Sequence, residues 1–393
     1  MAGTWLAFTF GHFYNALNEM RSILFLSVMN GGPWGGSEEL WYQSALWTAQ
    51  HGIPTAVCCF EWEKKKGRLQ HLQAAGCTLY LLPGKDMTRK LDLMGNIRLS
   101  SLVAKVPFEQ YDIVVVSQGG WKDVAHPPFN KLYERLREYI LLYHNYNEQA
   151  RFSKSKAQSM QAWVNEAKLN LGDTDKIFNA LSAAYRIEIP NHQKLFNPLT
   201  FAIPSTPATF PGLVDGNYTF SVFAALDTER KAQDILVRTL AKEPWRSRNW
   251  KLNLYGEGND KVMLQDLINK LGMNFRISLP GYATDYKQAI IDSHLVLQIT
   301  HIDAMPITVM DALAIGRPVV ASTVGDMPSW VKPGRNGWLT NHVTITDIND
   351  TMQMAWDQRD HWAKMGLESF EIFKTEFPKD PIDYFLRQTG IIR

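Results

Sequence analysis

Apolar, strand-like runs alternate with helical patterns along this chain, and the alternation limits the fold more than any single motif. Ile23-Leu-Phe-Leu-Ser-Val-Met29 has the pattern of a parallel strand buried on both faces. Thr55–Phe60, Thr78–Leu82, Ile113–Ser117 and Tyr139–Tyr146 repeat it. A second series runs through Tyr218–Leu226, Trp250–Tyr255, Arg276–Leu279, Leu295–Thr300 and Val319–Ala321. Between them, Asn197–Gly212 holds four prolines among short polar residues, which is linker composition. The pattern predicts an α/β chain with two doubly wound parallel sheets. The expected boundaries are an N-terminal extension at 1–19, a first domain at 20–196, a linker at 197–215 and a second domain at 216–345. C-terminal helices occupy 346–393. A cleft between two such domains is the default place for a ligand, beyond the carboxyl ends of the strands.

Composition narrows the partners. Hydrophobic residues make up 45% of the 393, as in globular chains, and a net charge of +2 is too small to imply nucleic acid. Cys58, Cys59 and Cys77 lie in apolar runs without metal-ligand spacing, and are expected as buried thiols in a reducing compartment. No apolar run approaches the roughly 18 residues that span a bilayer. Residues 1–19 lack a basic n-region, so no signal peptide is expected there. The basic runs Glu63–Arg68 and Arg151–Lys156 read as solvated faces first, and as surfaces for anionic acceptors or lipid head groups second. The D-x-D at Asp173 and Asp175 reads as a turn.

Two stretches carry the candidate chemistry. In His301–Val320 a short helix opens near Pro306, suited to a first helical turn, and closes at Gly316 before Val319-Val320. Asp303 and Asp311 bracket its start, and the amides of Ile307 and Thr308 face outward at the positive end of the helix dipole, where a phosphate fits. In Asn30-Gly-Gly-Pro-Trp-Gly-Gly36 a strand runs into a helix expected to start at Ser37 as N-cap. It is neither a dinucleotide fingerprint nor a P-loop, but Gly35 and Gly36 let backbone approach a ligand. Gln118 and His144 close two strands of the first series, and His144 could orient a hydroxyl or act as a base.

The second half resembles the nucleotide-sugar-binding domain of the retaining family-four glycosyltransferases, which have the GT-B fold. The residues that carry the resemblance are Asp303 and Asp311, separated by seven, and Gly316-Arg-Pro-Val-Val320. Lys231-Ala-Gln-Asp234 resembles the family's Lys-Gly-x-Asp, Gly256-Glu-Gly258 its Gly-x-Gly, and Pro280-Gly281 its turn near the base. Gly32-Pro-Trp-Gly-Gly-Ser-Glu38 resembles its N-terminal glycine-rich loop. Both family glutamates appear here as aspartates, and the family's usual arginine before the Leu-Asp pair is Ala225. The second glycine of its Gly-Gly is Asp326, and its histidine at the end of the fourth strand is Ser117 or Gln118.

The resemblance implies an N-terminal acceptor-side domain, a C-terminal donor-side domain, and terminal helices that cross back to the first. It implies a hexosyltransferase that takes a UDP- or GDP-linked sugar and acts with retention, with no metal and no cofactor beyond the donor. The acceptor would be a glycan, a lipid-linked sugar or a small molecule, and the setting the cytoplasm, with peripheral membrane contact as an option. Asp303 and Lys231 would be catalytic. The same two, with Gly35, Gly36, Gly256, Glu257, Gly281, Met305, Pro306, Ile307, Thr308 and Asp311, would line the donor, with Asp311 on the ribose. Gln118 and His144 are the acceptor-side candidates. The alternative is a catalytically degenerate relative that binds without turnover, which Ala225 and the two aspartates favour.

Overall fold

The computed structural model describes residues 21–30, 34–84, 93–144 and 153–393. The expected extension at 1–19, residues 31–33 of the glycine-rich turn, and the start of the second basic run lie outside them. The chain divides into two compact units, the first ending at Asn197 and regaining Asp380–Arg393, the second running from Pro198 to Lys379. The proline-rich stretch therefore belongs to the second unit. The return to the first unit begins at Asp380, later than the expected 346.

In the first unit the strands are β1 (Ile23–Ser27), β2 (Thr55–Glu61), β3 (Thr78–Pro83), β4 (Ile113–Gln118), β5 (Tyr139–Tyr143), β6 (Leu169–Gly172) and β7 (His192–Lys194). They form one parallel sheet in the order β3-β2-β1-β4-β5-β6-β7. Phe25, Val57, Val115, Ile140 and Leu171 place one buried side chain per strand in the same core. Helix Pro381–Gln388 completes it with Ile382, Phe385 and Leu386, its start capped by Asp380, which accepts from the amides of Ile382 and Asp383. The three cysteines are free and buried, and burial pushes the Cys59 thiol up to about 12, so they behave as small apolar side chains.

Two sequence expectations fail around helix Gly36–Gln50. Its N-cap is Gly35, while the Ser37 hydroxyl lies 3.8 Å from the Met29 sulfur. The basic run Glu63–Arg68 is not wholly solvated, because Lys65 is fully buried. Its ammonium donates to Glu38 Oε2 at 2.9 Å, neither side chain reaches solvent, and the Ser27 hydroxyl at the end of β1 donates to the same carboxylate. Arg68 stacks over Trp34 and pairs with Glu39, which also accepts from the Trp34 indole. The start of this helix is thus pinned from below by a desolvated ion pair and from above by an aromatic ring.

The second unit repeats the plan with β8 (Tyr218–Phe223), β9 (Trp250–Tyr255), β10 (Ile277–Gly281), β11 (Leu295–Gln298), β12 (Val319–Ser322) and β13 (Gly337–Thr340), all parallel, ordered β10-β9-β8-β11-β12-β13. Helices Ile345–Asp357 and Trp362–Glu376 stay with this sheet, adding Ile348, Met352, Trp356 and Trp362 to a core that holds Phe220, Trp245 and Trp250. Arg317, fully buried, donates to the carbonyls of Ile291, Ala208 and Thr209, and Ala208 N–H donates to Ile315 O. Burial draws its guanidinium down to about 10, which leaves it charged at neutral pH. The Gly-Arg-Pro segment therefore fastens residues 207–210 of the proline-rich stretch to its own sheet. No described helix is long and apolar enough to cross a membrane.

Removing one member of the Glu38–Lys65 pair leaves a buried charge without a partner, and Lys65→Ala or Glu38→Ala is expected to cost about 3–5 kcal/mol in chemical denaturation. The double replacement Glu38→Leu with Lys65→Met is expected to cost clearly less than either single change.

Candidate functional site

In the second sheet the chain order reverses between β8 and β11, and the crevice beyond their carboxyl ends is where such sheets take ligands. The segments that leave these two strands meet there. After β8, Asp227 caps the short helix Thr228–Lys231, its carboxylate accepting from Arg230 N–H, while Thr228 donates through both amide and hydroxyl to Asp260. After β11, the Thr300 hydroxyl and the His301 amide both donate to Arg230 O. These bonds hold Lys231 against the loop that carries Asp303.

Lys231 Nζ lies 2.6 Å from Asp303 Oδ2, with 17% of each side chain exposed. Gln298, the last residue of β11, donates to the same oxygen at 3.1 Å, and Ala304 N–H donates to Oδ1. The two residues expected to be catalytic are therefore in direct contact. Helix Ile307–Ile315 opens beside them with Pro306 as N-cap and no side-chain cap, and ends at Gly316 in the left-handed region. Pro306 thus sits one position before the first helical turn. Thr308 anchors the helix start by donating to Phe223 O at the end of β8.

Two glycines allow the close approaches that shape this edge. A Cβ on Gly256, at φ +136°, would lie 1.9 Å from Ala224 O, and one on Gly325, at φ +55°, would lie 2.1 Å from Ala304 O. Asp326 N–H donates to Ala304 O, and its carboxylate accepts from the Ser329 hydroxyl and the Trp330 indole, so the residue in place of the family's second glycine braces the Asp303 loop. Ala232 holds φ +47° with its side chain buried, which explains why glycine suits that position in the Lys-Gly-x-Asp pattern. Glu257 pairs with Lys261 at 2.9 Å, and Gly281 O accepts from Gly256 N–H, which joins the Gly-x-Gly turn to the turn expected near a base.

Asp311 does not join Lys231 and Asp303 at an open surface. It is fully buried, its Oδ2 accepts from the hydroxyls of Thr200 and Tyr286 at 2.9 Å each, and its Oδ1 from Thr200 N–H at 3.3 Å. The spacing of seven placed it on the right helix, but its side of that helix packs against the proline-rich stretch. Burial pushes its carboxyl up to about 7, against the lowering effect of the Thr200 and Tyr286 hydrogen bonds.

In the first unit, Gln118 ends β4 and is buried, and His144 follows β5 with its side chain almost wholly covered. His144 Nδ1 lies 3.1 Å from Asp173 Oδ1, so the D-x-D residue read as part of a turn is paired. Thr174 accepts from Lys176 N–H as N-cap of helix Asp175–Tyr185, and Asp175 is exposed. Gly35 and Gly36 open their helix as described. Sequence reasoning missed Gln298, Thr200, Tyr286 and Asp173. Only Asp173 carried a signal, its place in the D-x-D. Among the described residues no three His, Cys, Asp or Glu side chains are grouped to hold a metal ion.

Two parallel sheets with these strand orders have the GT-B architecture. Solved structures agree: Anabaena HepE in complex with UDP-glucose aligns with a TM-score of 0.72 at 19% identity, over 94% of this chain and 99% of that one. TarM aligns at 0.67 and 12% identity, over 93% and 98%. Residues 217–357, within the second unit, match the family model "Glycosyl transferases group 1". Among curated relatives, the D-inositol 3-phosphate glycosyltransferase of Gordonia bronchialis is 28% identical over 167 residues, 39% of this chain and 36% of that protein. The poly(ribitol-phosphate) alpha-N-acetylglucosaminyltransferase of Staphylococcus aureus is 26% identical over 121 residues, 30% and 24% respectively. The matches thus span about a quarter to a third of these relatives' lengths.

Asp311 tests the electrostatics of the site. A carboxyl with a folded pKa near 7, against about 4 unfolded, is held protonated by the fold, so its contribution is fully present below pH 4 and lost as pH rises through 7. Replacement Asp311→Asn removes that titration. Its stability relative to wild type, measured by urea denaturation from pH 4 to 8, is expected to rise with pH by up to roughly 4 kcal/mol.

Proposed function

We propose that this protein is a glycosyltransferase that binds a nucleoside-diphosphate sugar, UDP-linked first and GDP-linked second, at the Lys231–Asp303 edge of its second unit. The observation that carries the reading is the 2.6 Å contact of Lys231 with Asp303 beside the uncapped start of helix Ile307–Ile315. Breaking a sugar–phosphate bond leaves negative charge on the departing phosphate. A positioned ammonium and the amides of Met305, Ile307 and Thr308 stabilise that charge before it forms. The UDP complex of HepE supports a uridine donor.

In this reading the diphosphate takes one of the Lys231 N–H bonds, and Asp303 turns toward hydroxyls of the transferred sugar. A ribose reaches Asp311 only when Thr200 and Tyr286 release its oxygens. The acceptor hydroxyl attacks on the face the phosphate leaves, giving retention, and passes its proton to the departing phosphate oxygen. No metal takes part in these steps. Hexose donors, glycan or lipid-linked acceptors and work at a membrane surface belong to the same proposal. The covered Asp311 and the Lys231 charge already met by Asp303 favour a second reading, a relative that binds sugar nucleotide without turnover.

The test is a thermal-shift panel of UDP-, GDP-, ADP- and dTDP-glucose in EDTA, on wild type and Lys231→Ala. Ligand at about 100-fold its Kd adds about 2.7 kcal/mol, a rise of several degrees. One nucleotide class is expected to produce the rise and Lys231→Ala to abolish it. No rise with any donor contradicts the proposal. A rise without donor hydrolysis or transfer selects the second reading, and an inverted product contradicts retention.

A further inference from the structure

Five buried side-chain polar atoms at the carboxyl edge of the first sheet have no hydrogen-bond partner among the described residues: Asn30 Oδ1 beyond β1, Ser117 Oγ and Gln118 Nε2 on β4, His144 Nε2 after β5, and Asn197 Oδ1 after β7. These strands are neighbours in the sheet or separated by one, β6. Unsatisfied buried polar atoms are scarce in folded proteins, because each has lost its water without gaining a partner. A concentration of them along one strand edge marks a surface built to hydrogen-bond something polar.

His144 is the member whose orientation the fold enforces. Only 3% of its side chain is exposed, as for Asp173. The carboxylate of Asp173 can only accept, so the 3.1 Å contact requires a proton on His144 Nδ1. Asn197 Nδ2 donates to the same Asp173 oxygen at 3.1 Å, and Asp173 N–H donates to Tyr143 O, the residue before His144. Asp173 is thus anchored through its backbone to the segment before His144 and through its carboxylate to Asn197. In a neutral imidazole with Nδ1 protonated, Nε2 is a lone-pair acceptor.

We infer that Asp173 is a positioning residue that holds His144 in the Nδ1–H form and presents Nε2 to a hydroxyl group of a carbohydrate substrate. The inference rests on the glycosyltransferase reading for the identity of the hydroxyl. It adds to that reading the group that orients His144, already an acceptor-side candidate, with Asn197 as the second brace. A hydroxyl that donates to Nε2 has its oxygen oriented with lone pairs free, and Gln118 Nε2 is a donor on the adjacent strand.

The test is ¹⁵N NMR of protein labelled at its ten histidines, with His144→Gln to identify the ring. Wild type is expected to show a pyridine-type Nε2 and a protonated Nδ1, and Asp173→Asn to lose that preference while keeping its melting temperature within a few degrees. A protonated Nε2 with bare Nδ1 in neutral wild type would overturn the inference, whatever the enzyme does. In turnover with UDP-glucose, Asp173→Asn is expected to lower kcat roughly 100-fold with KM for the donor little changed, as positioning requires. Unchanged kcat in a variant that has lost the tautomer would also overturn it. If no nucleotide sugar binds wild type, the proposed function fails and the tautomer measurement alone decides the pair.

Discussion

The contact between Lys231 and Asp303 organises the second unit, because the segments after two different strands must be placed to make it. Lys231 sits there because Asp227 and Asp260 fix the short helix before it and because Arg230 O receives two donors from the segment after β11. Asp303 sits there because Gly325 and Asp326 close against its loop. The parallel sheet supplies the frame, and β8 and β11, adjacent in space but far apart in sequence, bring the ammonium and carboxylate to one edge.

Buried charge is handled in three ways. Glu38 and Lys65 satisfy each other in a dry interior, an arrangement that is costly to break but no guarantee of net stability. Arg317 has backbone carbonyls for partners, which disperses its charge and ties the proline-rich stretch to the second sheet. Asp311 meets hydroxyls and an amide but no cation, and its carboxyl drifts toward neutrality. Burial brings the Asp311 carboxyl up to about 7, and this residue lies on the same helix whose start forms the candidate phosphate site.

Much of the fold was legible because runs such as Ile113–Ser117 and Leu295–Thr300 are long, apolar and bounded by turns. Strands β6 and β7 were not, since Leu169–Gly172 and His192–Lys194 are short and partly polar. Asn170 is kept in β6 by donating to Val164 O and Pro190 O, contacts no local pattern announces. The spacing of Asp303 and Asp311 marks a candidate site but not that Thr200, over a hundred residues earlier, covers the second acid. The run around Lys65 looked solvated because its partner Glu38 belongs to another helix. Motifs specified which backbone segments meet, and tertiary packing decided which faces they show.

The central claim, that a nucleoside diphosphate binds where Lys231, Asp303 and the start of helix Ile307–Ile315 converge, is tested most directly by hydrogen–deuterium exchange with and without UDP-glucose in EDTA. The account predicts slower exchange in peptides covering 226–233 and 301–310, with the sheet cores unchanged. Protection confined to other segments, under conditions where the ligand is bound, would contradict it.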